Sequence, residues 1–214
     1  MTAVETEAGT AGAPREDGRT ARSRRTRAAV VDALLALQEE GNLAPTAQQV
    51  AARAGVALRT VFGHFSDMET LWVEAGQREL QVLVDLADEV DPALPLAERI
   101  ARFAASRSVV LERLLPVSRA ARLREPTSPA LRANRAMFIA VGDEEVRTVF
   151  ATELAARAPE EARRLLAALY VVAGVPGWEA LRLDRGCSVD QARDDVARHL
   201  TALLDPAAAP EDRL

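Results

Sequence analysis

Residues 46–65, TAQQVAARAGVALRTVFGHF, restrict the fold more tightly than any other stretch of this chain. Thr46 and Gln49 stand at the spacing at which a threonine oxygen accepts from the third helical amide while the glutamine side chain reaches back. A helix therefore begins at Thr46. Val50, Ala51 and Ala54 give it a narrow apolar face of small side chains, which lets a neighbouring helix cross closely. Gly55 supplies the left-handed conformation that ends a helix without a Cβ penalty. Apolar spacing restarts at Leu58, with Val61 and either Phe62 or Phe65 available to the core. Two short helices must meet there at a sharp corner, the helix-turn-helix arrangement.

The corner projects the second helix outward, with Arg59, Thr60 and Gly63 on its outer side. A short helix with a small, polar, cationic face fits the major groove of DNA. A bare glycine corner favours that reading only modestly, since many helical domains contain one. The charge distribution strengthens it. Net charge is −2 over residues 1–19, +3 over 20–65 and −6 over 66–214, against −5 for the whole chain. A local excess of this kind, not the total, makes an electrostatic footprint on DNA.

The rest of the chain reads as helices. Residues 1–20 lack periodicity and are expected to be a disordered arm. A helix is expected over 22–40. Ser66 and Glu69 have capping spacing before a longer helix that reaches about Val90. Further helices are expected over 96–115, 116–125 and 131–156. Pro159 with Glu160 and Glu161 starts another, disturbed at Gly174, Pro176 and Gly177 and ended by Gly186. Ser188 and Gln191 cap the last, and the tail from Asp205 is expected to be loose. With Ala and Leu dominant and aromatics at 4%, the chain is expected to be all-α, with about nine helices. The expected division is an arm over 1–20, a helix-turn-helix domain over 21–66, a helical body over 67–205 and a flexible tail over 206–214.

Catalytic and metal-binding patterns are missing from the sequence. His64, His199 and Cys187 stand in different regions, without ligand spacing. Neither enzymatic activity nor a cofactor is expected. The lone Cys187 fits a reducing cytoplasm, and the acidic N-terminus lacks the apolar run of a signal peptide. The longest charge-free run, Leu165 to Trp178, has 14 residues and contains Pro176, so a buried helix is expected there and no membrane span.

The string T-x-x-x-V-A-x-x-A-G-V…T-V-F-x-H-F-x-D-x-E-x-L, from Thr46 to Leu71, resembles the DNA-binding region of TetR-family transcriptional regulators. Arg27, Val30, Val31, Ala33 and Gly41 resemble the family's first helix, and W-x-x-L-R-x-D-x-G from Trp178 to Gly186 is a weaker likeness further on. The resemblance implies three N-terminal DNA-binding helices followed by a ligand-binding and dimerisation domain. It also implies a homodimer joined through the last two helices, about 159–204, and a repressor released from a palindromic operator by a small molecule. On it, Thr46 and His64 would touch phosphate, and Arg59 and Thr60 would face the groove. Arg22, Arg24, Arg25 and Arg27 would reach the backbone or minor groove. Phe62 stands where the family often has a phosphate-binding tyrosine, Ala57 where it often has a capping serine, and Met68 where it often has lysine. These departures leave a second reading, a helical protein-interaction module with a degenerate DNA-binding head. Phe103, Arg107, Asn134, Met137, Phe138, Tyr170 and Trp178 are the candidate lining of a mainly apolar ligand pocket. The blander alternatives are, for Arg107, a snorkelling side chain or a pairing with a helix acid and, for Asn134, a solvated amide.

Overall fold

A computed structural model describes residues 18–205, and every regular element in them is helical. The first helix, α1 (Gly18–Glu39), begins inside the segment expected to be disordered. Its Arg-rich first half is helical although its buried residues all lie between Val30 and Gln38. Residues 1–17 of the expected arm and the expected tail over 206–214 lie outside the described residues.

The corner forms as the sequence demands. In α2 (Ala47–Arg53) both capping-box bonds are present: Gln49 N donates to Thr46 Oγ1 at 3.3 Å, and Thr46 N donates to Gln49 Oε1 at 2.9 Å. Ala54 ends the helix, and Gly55 takes a φ of +66°. Gly55→Ala adds no steric clash, because its Cβ would meet open space, but it forces an L-residue into the left-handed region. A loss of about 1–2 kcal/mol in unfolding free energy is expected, read by chemical denaturation. α3 (Leu58–His64) then buries Val61 completely, and Phe65 just after it, while Phe62 is 48% exposed. Phe65, not Phe62, is thus the core residue of this pair.

α4 (Met68–Leu86) is capped by Asp67, whose Oδ1 accepts from Thr70 N at 2.7 Å. The cap sits one residue later than the expected Ser66, because a carboxylate accepts more strongly than a hydroxyl. α5 runs unbroken from Leu96 to Arg122, merging two expected helices. Pro116 costs one backbone bond, but the apolar face continues past it as Val117 and Ala120, both buried against the N-terminal helices. A single 3-10 turn (Glu125–Thr127) leads into α6 (Pro129–Val149) and a five-residue α7 (Ala151–Ala155). The expected single helix over 131–156 breaks at Phe150, which is fully buried edge-on to Phe103 with ring centroids 5.2 Å apart.

α8 (Pro159–Ala173) stops at Gly174, α9 (Val175–Glu179) follows, and a π-helical turn (Ala180–Asp184) leads to Gly186 at φ +67°. The break needs glycine: a Cβ on Gly174 would lie 2.3 Å from the Tyr170 carbonyl oxygen, and one on Gly177 2.5 Å from that of Val171. The stretch Pro159–Asp184 is long and apolar enough, by composition alone, to cross a bilayer. It is divided at Gly174, and Leu165, Leu169, Ala173 and Trp178 within it are buried in the protein core. α10 (Val189–Leu204) starts at the Ser188–Gln191 capping box and buries Ala192, Val196, Leu200 and Leu204.

Two apolar cores result. One lies under α1–α3 and takes in Leu71, Trp72 and Ala75 of α4, Val117 and Ala120 of α5 and Leu131 of α6. The other gathers the first part of α5, the end of α6, and α8–α10. α5 and α6 belong to both, so they join the N-terminal helices to the body.

Candidate nucleic-acid interface and ligand cavity

The outer side of α3 carries Arg59, exposed and unpaired, with exposed Gly63 and half-buried Thr60 and His64 beside it. Phe62 and Leu58 also reach solvent, at 48% and 42% exposure. Thr46 is exposed at the start of α2, where its hydroxyl already serves the capping box. Ala57 precedes α3 without a side-chain cap.

The four arginines of the first helix separate into two kinds. Arg22, Arg24 and Arg25 are exposed, and among the described residues Arg22 and Arg25 make no side-chain ion pair. Arg27 does not join them. Its Nε donates to Glu74 Oε1 at 2.9 Å, its guanidinium lies 4.2 Å from the Phe65 ring centroid, and it also bonds the His64 carbonyl. A cation committed to a carboxylate, a carbonyl and a ring is holding α1 to α3 and α4, so Arg27 is a structural residue of the head. Arg53 is likewise paired, with Glu40 at 2.6 Å.

The body uses its arginines differently. Arg99 pairs with Glu153 at 2.6 Å, Arg113 with Glu79 at 2.7 Å, Arg122 with Glu179 at 2.7 Å and Arg182 with Glu112 at 2.6 Å. Hydrogen bonds from Arg182 hold the Glu112 carboxyl below the usual range, and those from Arg99 do the same for Glu153. Burial pushes the Glu79 and Glu145 carboxyls up, against the pull of Arg113 and Arg107. Among the described residues no cluster of His, Cys, Asp or Glu is arranged to hold a metal.

A cavity of about 90 Å³ lies between α1, α4, α5, α6, α8 and α9. Arg107, Asn134, Phe138 and Tyr170 line it. The other three candidate pocket residues do not. Phe103 is fully buried in the second core, Met137 is 41% exposed, and Trp178 is buried with its Nε1 donating to Glu112 Oε1 at 2.8 Å. Periodicity places their helices but not the rotation of those helices, which Phe150 and Glu112 settle through contacts distant in sequence.

Arg107 does pair with a helix acid, Glu145, at 3.1 Å, and its Nε donates to the Ala173 carbonyl at 3.1 Å, a group the Gly174 break leaves without a helical partner. Asn134 is not solvated: it is 6% exposed. Its amide packs into a notch at Gly76, where a Cβ would lie 2.0 Å from Nδ2. Most of the wall escapes sequence reasoning, including Gln38 at the end of α1, and Trp72 and Gly76 on α4. Gln38 and Trp72 fall on the expected buried faces, and nothing local marks them as lining a space.

No family model matches the sequence, and no curated protein does. Solved structures do. A transcriptional regulator from Rhodococcus sp. RHA1 superposes with a TM-score of 0.65 at 20% identity, over 85% of this chain and 95% of that one. A Mesorhizobium loti MAFF303099 protein described as a TetR-family transcriptional regulator gives 0.65 at 18% identity, over 86% and 96%. The multidrug binding protein EbrR, solved with imidazole, gives 0.55 at 20% identity, over 81% and 93%. The chain has the fold of these proteins, the all-helical fold that the resemblance implies.

Proposed function

We propose that the protein is a DNA-binding transcriptional regulator of the TetR type, a homodimeric repressor that a small molecule releases from a palindromic operator. The observation that carries this reading is the outward Arg59. It is an unpaired cation on a short helix beyond a glycine corner, accompanied by unpaired Arg22 and Arg25, in a molecule whose other arginines mostly face carboxylates. Two such helices on one dimer enter successive major grooves, and the half-site spacing follows from the dimer. The neighbours described as transcriptional regulators support the reading.

Dimerisation is assigned to the segment 159–204. Val171 on α8 and Leu183 in the π-helical turn expose 55% and 49% of their surface there, apolar area that a second copy would cover. The cavity takes the effector. At about 90 Å³ it is smaller than the roughly 150 Å³ space known to hold a benzene ring, so a ring-sized occupant must widen it, and α4 is one of its walls. α4 follows the recognition helix directly, and its displacement changes the separation of the two recognition helices.

The exposed Phe62 and Leu58 favour the second reading, a protein-docking surface on α3. A gel-shift with the DNA upstream of the protein's own coding sequence decides. Retardation at near-physiological salt that survives excess random duplex supports the regulator. Retardation abolished equally by random duplex, or none, supports the docking surface instead.

A further inference from the structure

Where α6 ends, an open groove of about 440 Å³ lies between α6, α7 and α8. Ala151 and Leu154 of α7 and Pro159, Ala162 and Leu166 of α8 give it apolar walls. The rest of its lining is two cations, Arg147 from the last turn of α6 and Arg163 from α8. Arg147 is exposed and has no ion pair or hydrogen bond among the described residues. Arg163 shares one carboxylate, Glu160, with Arg164. Both cations are therefore open to an incoming carboxylate.

The chain supplies a segment of matching chemistry within reach. α10 ends close to this groove: Arg157, three residues after Leu154 and two before Pro159, donates to the Leu203 carbonyl at 3.2 Å. Consecutive Cα atoms are about 3.8 Å apart, so Pro159 lies within about 8 Å of Arg157. Arg163 is four helical residues further on, a rise of about 6 Å. Asp205 leaves α10 with an extended backbone, and the sequence continues Pro-Ala-Ala-Ala-Pro-Glu-Asp-Arg-Leu over 206–214. Nine residues reach up to roughly 30 Å. The stretch from Pro206 to Pro210 is apolar, and its two prolines have no N–H to leave unpaired on an apolar wall. Glu211 and Asp212 follow with two carboxylates, ahead of Arg213.

We infer that residues 206–214 dock in this groove, with Pro206 to Pro210 against Leu154 and Leu166, and the carboxylates of Glu211 and Asp212 on Arg147 and Arg163. The tail then straps the end of α6 to α8. These two helices also wall the cavity, through Val146 and Leu169. A second copy is the rival occupant. Across a two-fold axis it presents the same patch, which sets Arg147 and Arg163 against their own duplicates. The tail brings opposite charge and, being tethered, avoids most of the entropy cost of association. The inference requires neither DNA binding nor an effector.

A nitroxide on Leu214→Cys, in the full chain with Cys187→Ser, tests this through the intensities of the backbone amide signals. Ala151, Leu154, Ala162 and Leu166 are expected to lose most of their intensity, while amides of α2 and α3 keep theirs. Arg147→Glu changes an exposed, unpaired residue. It is expected to lower the docking equilibrium by about 2- to 5-fold, the range of an exposed ion pair, and adding Glu211→Arg should restore it. If Cys187→Ser fails to fold, cleavage of the unmodified chain after Glu211 by a glutamate-specific protease serves instead. Docking protects that bond, and Arg147→Glu should speed its cleavage by about the same factor. Intensity loss that is absent or spread over the whole molecule would overturn the inference, as would loss or cleavage indifferent to Arg147→Glu. Mixing nitroxide-bearing chains with isotope-labelled chains that lack the nitroxide separates the two occupants. Loss in that mixture matching the loss within one chain would place the tail on a second copy and overturn docking within the chain.

Discussion

Arg99→Ala is expected to lower the unfolding free energy by about 3–5 kcal/mol, the usual cost of removing one partner from a buried ion pair. The side chains of Arg99 and Glu153 are only 6% and 11% exposed. Arg99 also donates to the Leu94 carbonyl at 2.9 Å and to the Val149 carbonyl at 2.6 Å. One guanidinium therefore closes the loop before α5 and satisfies an orphan carbonyl where α6 ends. Alanine would leave the Glu153 carboxylate largely buried, with only Arg157 and a backbone N–H to offset its charge. For a chain of this size the melting temperature should fall by about 6–20 °C, measured at fixed protein concentration because assembly would shift it. The double variant Arg99→Met with Glu153→Leu should recover much of the loss, since replacing a whole buried pair with apolar groups is often neutral. The pH dependence has a definite sign. The Arg99 hydrogen bonds lower the Glu153 carboxyl in the folded state. The pair's contribution is therefore complete above the ordinary glutamate range and fades as pH falls through the lowered folded value. The gap between wild type and Arg99→Ala should be widest near neutrality and close in acid. A gap that widened in acid would contradict this role for the pair.

The head is legible in the sequence because its signals are local. Thr46 and Gln49 are three residues apart, Gly55 acts through its own φ, and Val50, Ala51 and Val61 follow helical spacing. The body is legible only as helices. Pro116 reads as a helix end on any local rule, yet the apolar contacts of Val117 and Ala120 with distant helices outweigh the one backbone bond it forfeits. Phe150 breaks a helix that composition would continue, because burial against Phe103, far away in sequence, is worth more than helical continuity. The cavity shows the same limit more sharply. Arg107, Asn134, Phe138 and Tyr170 line it, but Gln38 and Trp72 complete the wall from the head side, and no spacing rule connects residue 38 to residue 134. Arg27 is the instructive case in the head itself. In the sequence it is one more basic residue beside Arg25, and only the positions of Glu74 and Phe65 turn it from a candidate phosphate contact into a structural residue.

That distinction gives the second large effect, on DNA binding. Replacing Arg22 and Arg25 together with alanine is expected to weaken binding to every duplex alike, by about 10- to 100-fold at moderate salt. Both side chains are exposed and unpaired among the described residues, so the double variant keeps every ion pair described there and should match the wild type in thermal stability. Each phosphate left without its arginine should reduce the slope of log affinity against log salt by about 0.9 per protomer. Arg59→Ala should behave differently. If it reads guanine from α3, it should cost about tenfold on the specific site, relax preference at one base pair and spare random duplex. Arg27→Ala should follow neither pattern. Freed Glu74 and the uncovered Phe65 ring should lower the melting temperature first, and any DNA effect should track the unfolded fraction. Filter binding across a salt series, paired with thermal melts, distinguishes the three. Equal salt slopes for wild type and the Arg22/Arg25 double variant would show that the first turns of α1 do not touch the phosphate backbone, and the electrostatic argument for the head would then rest on Arg59 alone.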